Sequence, residues 1–470
     1  MPQKKSSLFS LFAVLGVFIA PCMNTAARQE IPLPTAAQLQ WQQAELAALV
    51  CWDLHVFDGE FYIQSQARIT PVSDYNTFNP QQYDMDQWIS SLKAAGFKIA
   101  IFTVSHETGF FFHQSKATPY SMKALEWQGG KGDILRDFKE ACEKHDILPA
   151  VYIGTRWNAF YGVYDFKVQG ENEFARNRQQ HYNRMIEEIL TEIFTNYGDW
   201  AMVWFDGGAH GPEQGGPDVL SVFEKYQPNA IFYHNLQRAD IRWGGSETGT
   251  VPYPSWGTFS YPAIGAGESA RKEIGANNFQ LLKTGDPNGS YYMPAMSDAP
   301  LRGHGGHDWF WEPDRAHTLY PLENLIDMYY RSVGHNTTLI LGVTPNPEGR
   351  LPEPDVKRLK AFGEEISRRF SDPLASVSGT GNTIPLVLNE LQNIDQIVIQ
   401  EDISKGERIR EFELEAEING KWTSIYKGIA IGHKHIVKID PVHTRKIRFV
   451  ALSAVGEPQL KNLSVYKPLK

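Results

Sequence analysis

From about residue 35 to residue 370, short apolar runs alternate with amphipathic stretches, and this alternation constrains the fold more than any other feature of the chain. The runs are Leu49 to Trp52, Lys98 to Val104, Leu148 to Ile153, Ala201 to Phe205, Ala230 to Tyr233 and Leu339 to Val343. They are continuous rather than alternating and often β-branched, as strands buried on both faces are. Between them the apolar spacing is helical at Met85 to Ala95, Ile134 to Lys144, Phe174 to Phe194, Leu322 to Val333 and Asp355 to Arg368. Asp84, Asp133 and Pro354 stand where helices begin, and Gly96 where one ends. Strand–helix alternation on this scale predicts a parallel sheet, closed or open, and a (β/α)8-like barrel of this size is ordinary. Six strands are legible, and the two others are expected between Trp243 and Met296, where Gly, Pro and aromatic residues blur the period.

After Pro373 the texture changes. Leu386 to Leu388, Gln396 to Ile399, Phe412 to Ile418 and Lys446 to Leu452 are short runs, several of them alternating, with turns at Asn419-Gly420 and Ser404-Lys405-Gly406. That pattern predicts an antiparallel β-sandwich. The α/β fold class therefore carries a second domain, and the expected boundaries are a leader over 1–27, a barrel over 28–372 and a sandwich over 373–470.

The leader reads Lys4-Lys5, then an apolar stretch from Leu8 to Ala20, then small residues at Thr25-Ala26-Ala27. Charge, a short apolar segment and a small-residue cleavage point make a secretory signal, so the mature protein is expected to be secreted or periplasmic. Lipid anchoring through Cys22 is the weaker reading, because Pro21 precedes it. No apolar stretch is long enough to predict a membrane span. Cys51 and Cys142 remain after cleavage and lack CxxC spacing, which leaves room for at most one disulfide and argues against a zinc site. Net charge is −9, so nucleic acid is not the expected partner.

Chemistry in a parallel barrel gathers just past the C-terminal ends of the strands. At those places stand His55, His106-Glu107, Arg156-Trp157-Asn158, Asp206-Gly207-Gly208 and His234-Asn235. Asp206 closes an apolar strand and is followed by two glycines, which permit a sharp turn and close ligand approach. Read alone it is equally a turn or capping residue. Glu247 lies in the Gly-rich stretch Arg242 to Gly249 beside Trp243, where an apolar neighbour can raise a carboxyl's pKa, although read alone it is more readily a solvated loop residue. One ionised and one protonated carboxyl are what glycoside hydrolysis with retention requires. His304 and His307 have no further converging ligands, so no metal or other cofactor is expected. Gly129 to Asp133 lacks the spacing of a phosphate loop and reads as a loop capped by Asp133. Asn336-Thr337-Thr338 matches a glycosylation triplet.

Several of these motifs together resemble the α-L-fucosidase family, glycoside hydrolase family 29. They are Phe78-Asn79-Pro80, Thr103 to Phe110, Gly130 to Asp133, Trp204-Phe205-Asp206-Gly207-Gly208, Arg242 to Gly249, Pro294 to Arg302 and Trp309-Phe310. The Arg-Trp-Gly-x-x-Glu-x-Gly stretch is similar to the branch acting on α-1,3/1,4-linked fucose. The resemblance implies a retaining exo-α-L-fucosidase acting on fucosylated oligosaccharides or glycoconjugates, with Asp206 as nucleophile and Glu247 as acid/base. It implies that His55, Glu60, His106, Glu107 and Trp309 bind substrate, while Trp157 and Tyr161, from their place after the third strand, are expected either to line the pocket or to pack in its loop. It also implies a barrel followed by a sandwich, here with discoidin-like features at Glu401-Asp402-Ile403 and Ile431-Gly432. Glu107 stands where the family usually has a second His, Phe61 where it has Trp, and Met296 where this branch has Glu. These departures leave the acid pair intact and point to an altered sugar pocket. α-L-Galactoside hydrolysis is the first alternative, and a catalytically silent glycan-binding protein on the same scaffold is the second.

Overall fold

The computed structural model describes residues 30–263 and 279–468. The leader and Cys22 lie outside the described residues. Eight parallel strands form one sheet: β1 (Leu46–Val50), β2 (Ile99–Ser105), β3 (Leu148–Ile153), β4 (Met202–Ala209), β5 (Ile231–Asn235), β6 (Arg242–Trp243), β7 (Ala295–Pro300) and β8 (Thr338–Val343). The order β5-β4-β3-β2-β1-β8-β7-β6 follows the chain around the ring, with β1 hydrogen-bonded to both β2 and β8. The seam between β5 and β6 is unpaired, so the barrel is nearly closed. β6 and β7 stand at the two borders of the stretch in which they were expected, rather than inside it. β6 has only two residues and β7 carries Ser297 and Asp298, so neither shows the apolar run of a doubly buried strand.

The flanking helices are α1 (Ala36–Ala44), α2 (Met85–Ala94), α3 (Ile134–Lys144), α4 (Glu173–Asn196), α5 (Val219–Tyr226), α6 (Phe279–Thr284), α7 (Leu322–Arg331) and α8 (Glu353–Phe370). Asp84, Asp133, Asn172 and Asp218 begin four of them, each side chain accepting the backbone N–H three residues on. α8 starts at Glu353 with Pro354 inside its first turn, where a missing N–H costs nothing. No helix among the described residues is long and apolar enough to cross a membrane.

The sandwich has strands β9 (Ala375–Thr380), β10 (Thr383–Glu401), β11 (Ile409–Ile418), β12 (Lys421–Gly428), β13 (His435–Ala454) and β14 (Gln459–Tyr466). The runs at Leu386 and Gln396 are one 19-residue strand, not two. β10 pairs along its length with the 20-residue β13, and register shifts at Val387/Gln392 and Ile394/Gln396 let both strands pass from one layer to the other. Between the layers lies a separate apolar core that includes Ile397, Ile399, Phe412, Leu414, Phe449 and Leu463. Asn419 and Gly420, both with positive φ, make the tight hairpin between β11 and β12. Cys51 and Cys142 are buried and free, so neither is used in a disulfide.

Candidate active site

The C-terminal ends of the barrel strands surround a cavity of about 250 Å³. Its lining includes Asp206, Glu247, His106, Trp309 and Phe310, with Cys51 and Thr103 from the strand ends. Asp206 reaches it because β4 is pinned on both sides, by β3 and by β5. The two glycines that follow have φ of +67° and +88°. A Cβ on Gly207 would lie 3.1 Å from Cδ of Arg156, and one on Gly208 would lie 3.1 Å from Nε2 of His234. The Gly-Gly pair therefore answers both a dihedral and a packing demand. Burial pushes His234 down to about 3, so this ring packs as the neutral form.

Tyr152 donates its hydroxyl to Oδ2 of Asp206 at 3.1 Å. Burial raises the Asp206 carboxyl above the ordinary carboxylate range, and the Glu247 charge adds to this, while His106 and the Tyr152 bond pull it back. The net direction is upward.

Glu247 is held by a different kind of construction. Arg242 is fully buried, and its guanidinium donates to the carbonyls of Leu282 (2.9 Å), Trp256 (2.6 Å) and Met293. The planar fork thereby fixes the chain where the short β6 cannot. Trp243 then donates its indole N–H to Oδ1 of Asp298 at 2.9 Å. Gly244 and Gly249 donate their backbone N–H groups to Met296 O and Asp298 O, both at 2.8 Å. The loop is thus fastened to β7 at both ends, with Glu247 between the fastenings. Oε2 of Glu247 accepts from Trp309 Nε1 at 2.9 Å and contacts Nε2 of His307.

Asp298 was not visible as a site residue in the sequence, and it lines the same cavity. Burial and the neighbouring charges of Glu247 and Asp206 push its carboxyl well above the ordinary range. Alternation along β7 could have found it, because residues 296 and 298 share a strand face. Met296 itself is buried and does not line the cavity; Asp298, nearer the strand's C-terminal end, does. Tyr62 and Tyr152 also line the cavity without a signal in the sequence, and His307, whose loop was expected to touch the leaving group or solvent, lines it as well.

The other residues named from the sequence are dispersed around this centre. His55 and Glu60 line a neighbouring cavity of about 240 Å³, which shares Tyr62 with the first. The His55 ring stacks on Tyr62 at 4.4 Å. Glu107 is buried, with its two oxygens bound to the Tyr62 hydroxyl (2.7 Å) and Arg68 Nε (2.8 Å). Trp157 lies between the guanidinium groups of Arg68 and Arg156, 3.7 and 4.4 Å from its ring centre. Tyr161 packs beside His181 of α4 and stands outside the lining of the first cavity.

The model of the alpha-L-fucosidase family matches residues 37–368, the whole barrel. The chain belongs to the α-L-fucosidase family. A crystal structure of a provisionally named α-L-fucosidase from Bacteroides thetaiotaomicron superposes with a TM-score of 0.91 at 50% identity, covering 94% of this chain and 100% of that one. A glycoside hydrolase 29 family member from a rumen bacterium gives a TM-score of 0.77 at 28% identity, over 94% of this chain and 78% of its own. Alpha-L-fucosidase 1 of Arabidopsis thaliana is 27% identical over 93% of this chain and 88% of its own length. The chain is accordingly a glycoside hydrolase, with the fucosidase-type hydrolysis of this family as its reaction. The family's barrel and sandwich are both present.

Proposed function

We propose that the protein is a retaining exo-glycosidase that removes terminal α-L-fucose through a covalent glycosyl-enzyme. The observation that carries the reading is the meeting of Asp206 and Glu247 in one sugar-sized cavity with two indoles and two imidazoles in its wall. Asp206 attacks C1 as the carboxylate while the protonated Glu247 gives its proton to the departing oxygen. In the second half, Glu247 takes a proton from water, the water oxygen bonds to C1, and the Asp206 ester is released. Trp309 offers its ring to the apolar face of the sugar while its N–H holds Glu247. The proposed substrate is a fucosylated oligosaccharide or glycoconjugate. The leader supports export, so the mature chain is proposed to act outside the cytoplasm, with an N-terminus near Arg28 that mass spectrometry of the processed protein reads directly.

The test is hydrolysis of an aryl α-L-fucoside followed by proton NMR, with the aryl α-L-galactoside as comparison. The α-anomer of fucose appears first if the reading is right; the β-anomer appearing first would sink it. Asp206→Ala is expected to lose at least about 10³-fold in kcat, the scale on which a covalent nucleophile contributes. Faster turnover of the galactoside would reassign the glycone and leave the acid pair untouched.

A further inference from the structure

We propose that His307 and Glu247 carry the leaving-group proton as one pair, with His307 the positioning residue that decides when Glu247 holds it. The inference rests on the acid/base role proposed above for Glu247 and adds to it a partner from the loop after β7.

The geometry begins with how firmly that loop is built. Arg302 and Asp355 form a buried ion pair, Nη2 to Oδ1 at 2.7 Å. His304 N donates to Thr318 O at 2.8 Å, and Asp308 N to Arg302 O at 3.2 Å. Asp308 is bound by Arg315 (2.6 Å) and by the Thr318 hydroxyl (2.7 Å). His307 thus projects from an anchored loop, and its Nε2 meets Oε2 of Glu247, the oxygen that already accepts from Trp309. Two nitrogen donors on one oxygen favour the ionised carboxyl. Burial pushes Glu247 up, but the bonds from His307 and Trp309 outweigh it, and the net direction is down. His307 moves the opposite way, raised chiefly by its bond to Glu247. The resting pair is therefore imidazolium and carboxylate, and the proton needed by the leaving group waits on His307.

The other charged groups around the pair come from every neighbouring element. Asp298 faces it from β7, Asp206 from β4, and Asp308 from the same loop, where Arg315 neutralises it. The Cys51 thiol is close to both Asp206 and Glu247, and the Lys283 stem packs on Gly245. Among so many carboxyls any further negative charge would be costly to add, whereas the imidazolium is favoured. Transfer of the proton from His307 Nε2 to Glu247 Oε2 turns imidazolium and carboxylate into imidazole and carboxylic acid, with no change in net charge. Glu247 then passes the same proton to the leaving oxygen as Asp206 bonds to C1, so one negative charge moves from Asp206 to the pair. The water proton taken by Glu247 in the second half returns to His307 as Asp206 is freed.

The experiment measures kcat/KM against pH for wild type, H307Q and the control H304Q, on aryl α-L-fucosides with good and poor leaving groups. Wild type loses activity as pH rises through the upper pKa of the pair, which the imidazole sets. In H307Q the proton is held by Glu247 alone, so the alkaline limb is expected to move down by at least about one pH unit. The loss at pH 8 is expected to be at least about tenfold for the poor leaving group and smaller for the good one, which needs less proton assistance. H304Q is expected to follow wild type. A loss in H307Q that is equal at every pH and for both substrates, or no loss, overturns the proposal. If H307Q does not fold, nitrogen NMR of wild type and E247Q decides: the His307 titration midpoint must fall in E247Q, and an unchanged midpoint is fatal. E247Q with full activity on the poor leaving group would instead sink the acid/base reading itself.

Discussion

Asp206 sits under opposing demands. In the nucleophilic role proposed for it this carboxyl must be ionised, yet burial is the largest influence on it and acts against ionisation, with His106 as the chief opposing charge. The net shift is upward, so activity is lost as pH falls through a pKa above the ordinary 3.8. Removing the imidazole should raise that pKa further. His106→Asn is therefore expected to move the acid limb of kcat/KM to higher pH by about half a unit to one unit, the usual reach of one neighbouring charge. A pH profile on an aryl α-L-fucoside measures it. An acid limb that stays in place would mean that His106 acts only on sugar hydroxyls and not on the nucleophile's charge.

At the scale of an element, the loop after β6 shows what a motif is for. Arg242 pins the chain, Trp243 holds Asp298, and Gly244 lets the strand pass close to β7. A Cβ on Gly244 would meet Met296 O at 2.8 Å and Val251 Cγ1 at 2.6 Å. The obstacle is space rather than dihedral angle, and one of the two atoms is backbone that cannot rotate away. Gly244→Ala is expected to lower kcat by about tenfold or more through displacement of Glu247, since an error of about 1 Å in placement can cost about 10²-fold. Melting temperature and kcat measured on one preparation separate this from unfolding: activity retained with a lower Tm would show that the loop adapts. The same element marks the limit of sequence reading. β1 to β5 and β8 were legible because strands buried on both faces are continuous apolar runs. β6 is too short to carry a period, and β7 is interrupted by Ser297, whose hydroxyl bonds that of Thr337, and by Asp298, which lines the cavity. Asp206 and Glu247 were singled out by their glycine context and given their expected roles by the family resemblance. His307, beside Trp309 and Trp311, reads from the sequence as a loop residue near the leaving group or in solvent, but its pairing with Glu247, 60 residues away, is not legible there. The long β10 and β13 were divided into pieces for a related reason: their alternation breaks where they change layers.

For the whole molecule the question is how the sandwich stays on the barrel. The seam joins an apolar contact, in which Val398, Ile436 and Tyr466 of the sandwich complete the barrel's core, to a set of polar ties. Asn336 accepts at its Oδ1 from Gln42 Nε2 (3.2 Å) and His433 N (2.6 Å), while its Nδ2 donates to Glu407 Oε1 (2.6 Å) and Ser255 O (3.1 Å). The glycosylation triplet at 336–338 is therefore a buried structural joint. Beside it Glu45, at the end of α1, receives Lys434 Nζ at 2.5 Å, His433 Nε2 at 3.0 Å and the Tyr329 hydroxyl at 2.9 Å. Burial opposes the charge on Glu45, but Lys434 and His433 more than offset it and hold the carboxyl at about 2 against an ordinary 4.5. A depressed acid stabilises the fold above its unfolded pKa and loses that contribution as pH falls through its folded one. The stabilisation is thus complete above about pH 5 and is withdrawn between about 4.5 and 2. Glu45→Gln leaves Lys434 charged and half-enclosed without its partner, and should cost about 3 kcal/mol at neutral pH. Thermal melts of both proteins at pH 7 and pH 4 test this: the gap in Tm must be present at pH 7 and narrow on acidification. A gap that widens at pH 4 would place the stabilising charge elsewhere in the seam. Because Glu45 leads directly into β1, whose far end contributes Leu49 to the cavity, the melt is best followed together with kcat. Loss of activity in step with the melt at pH 7 would tie the anchoring of the sandwich to the barrel mouth through a single strand.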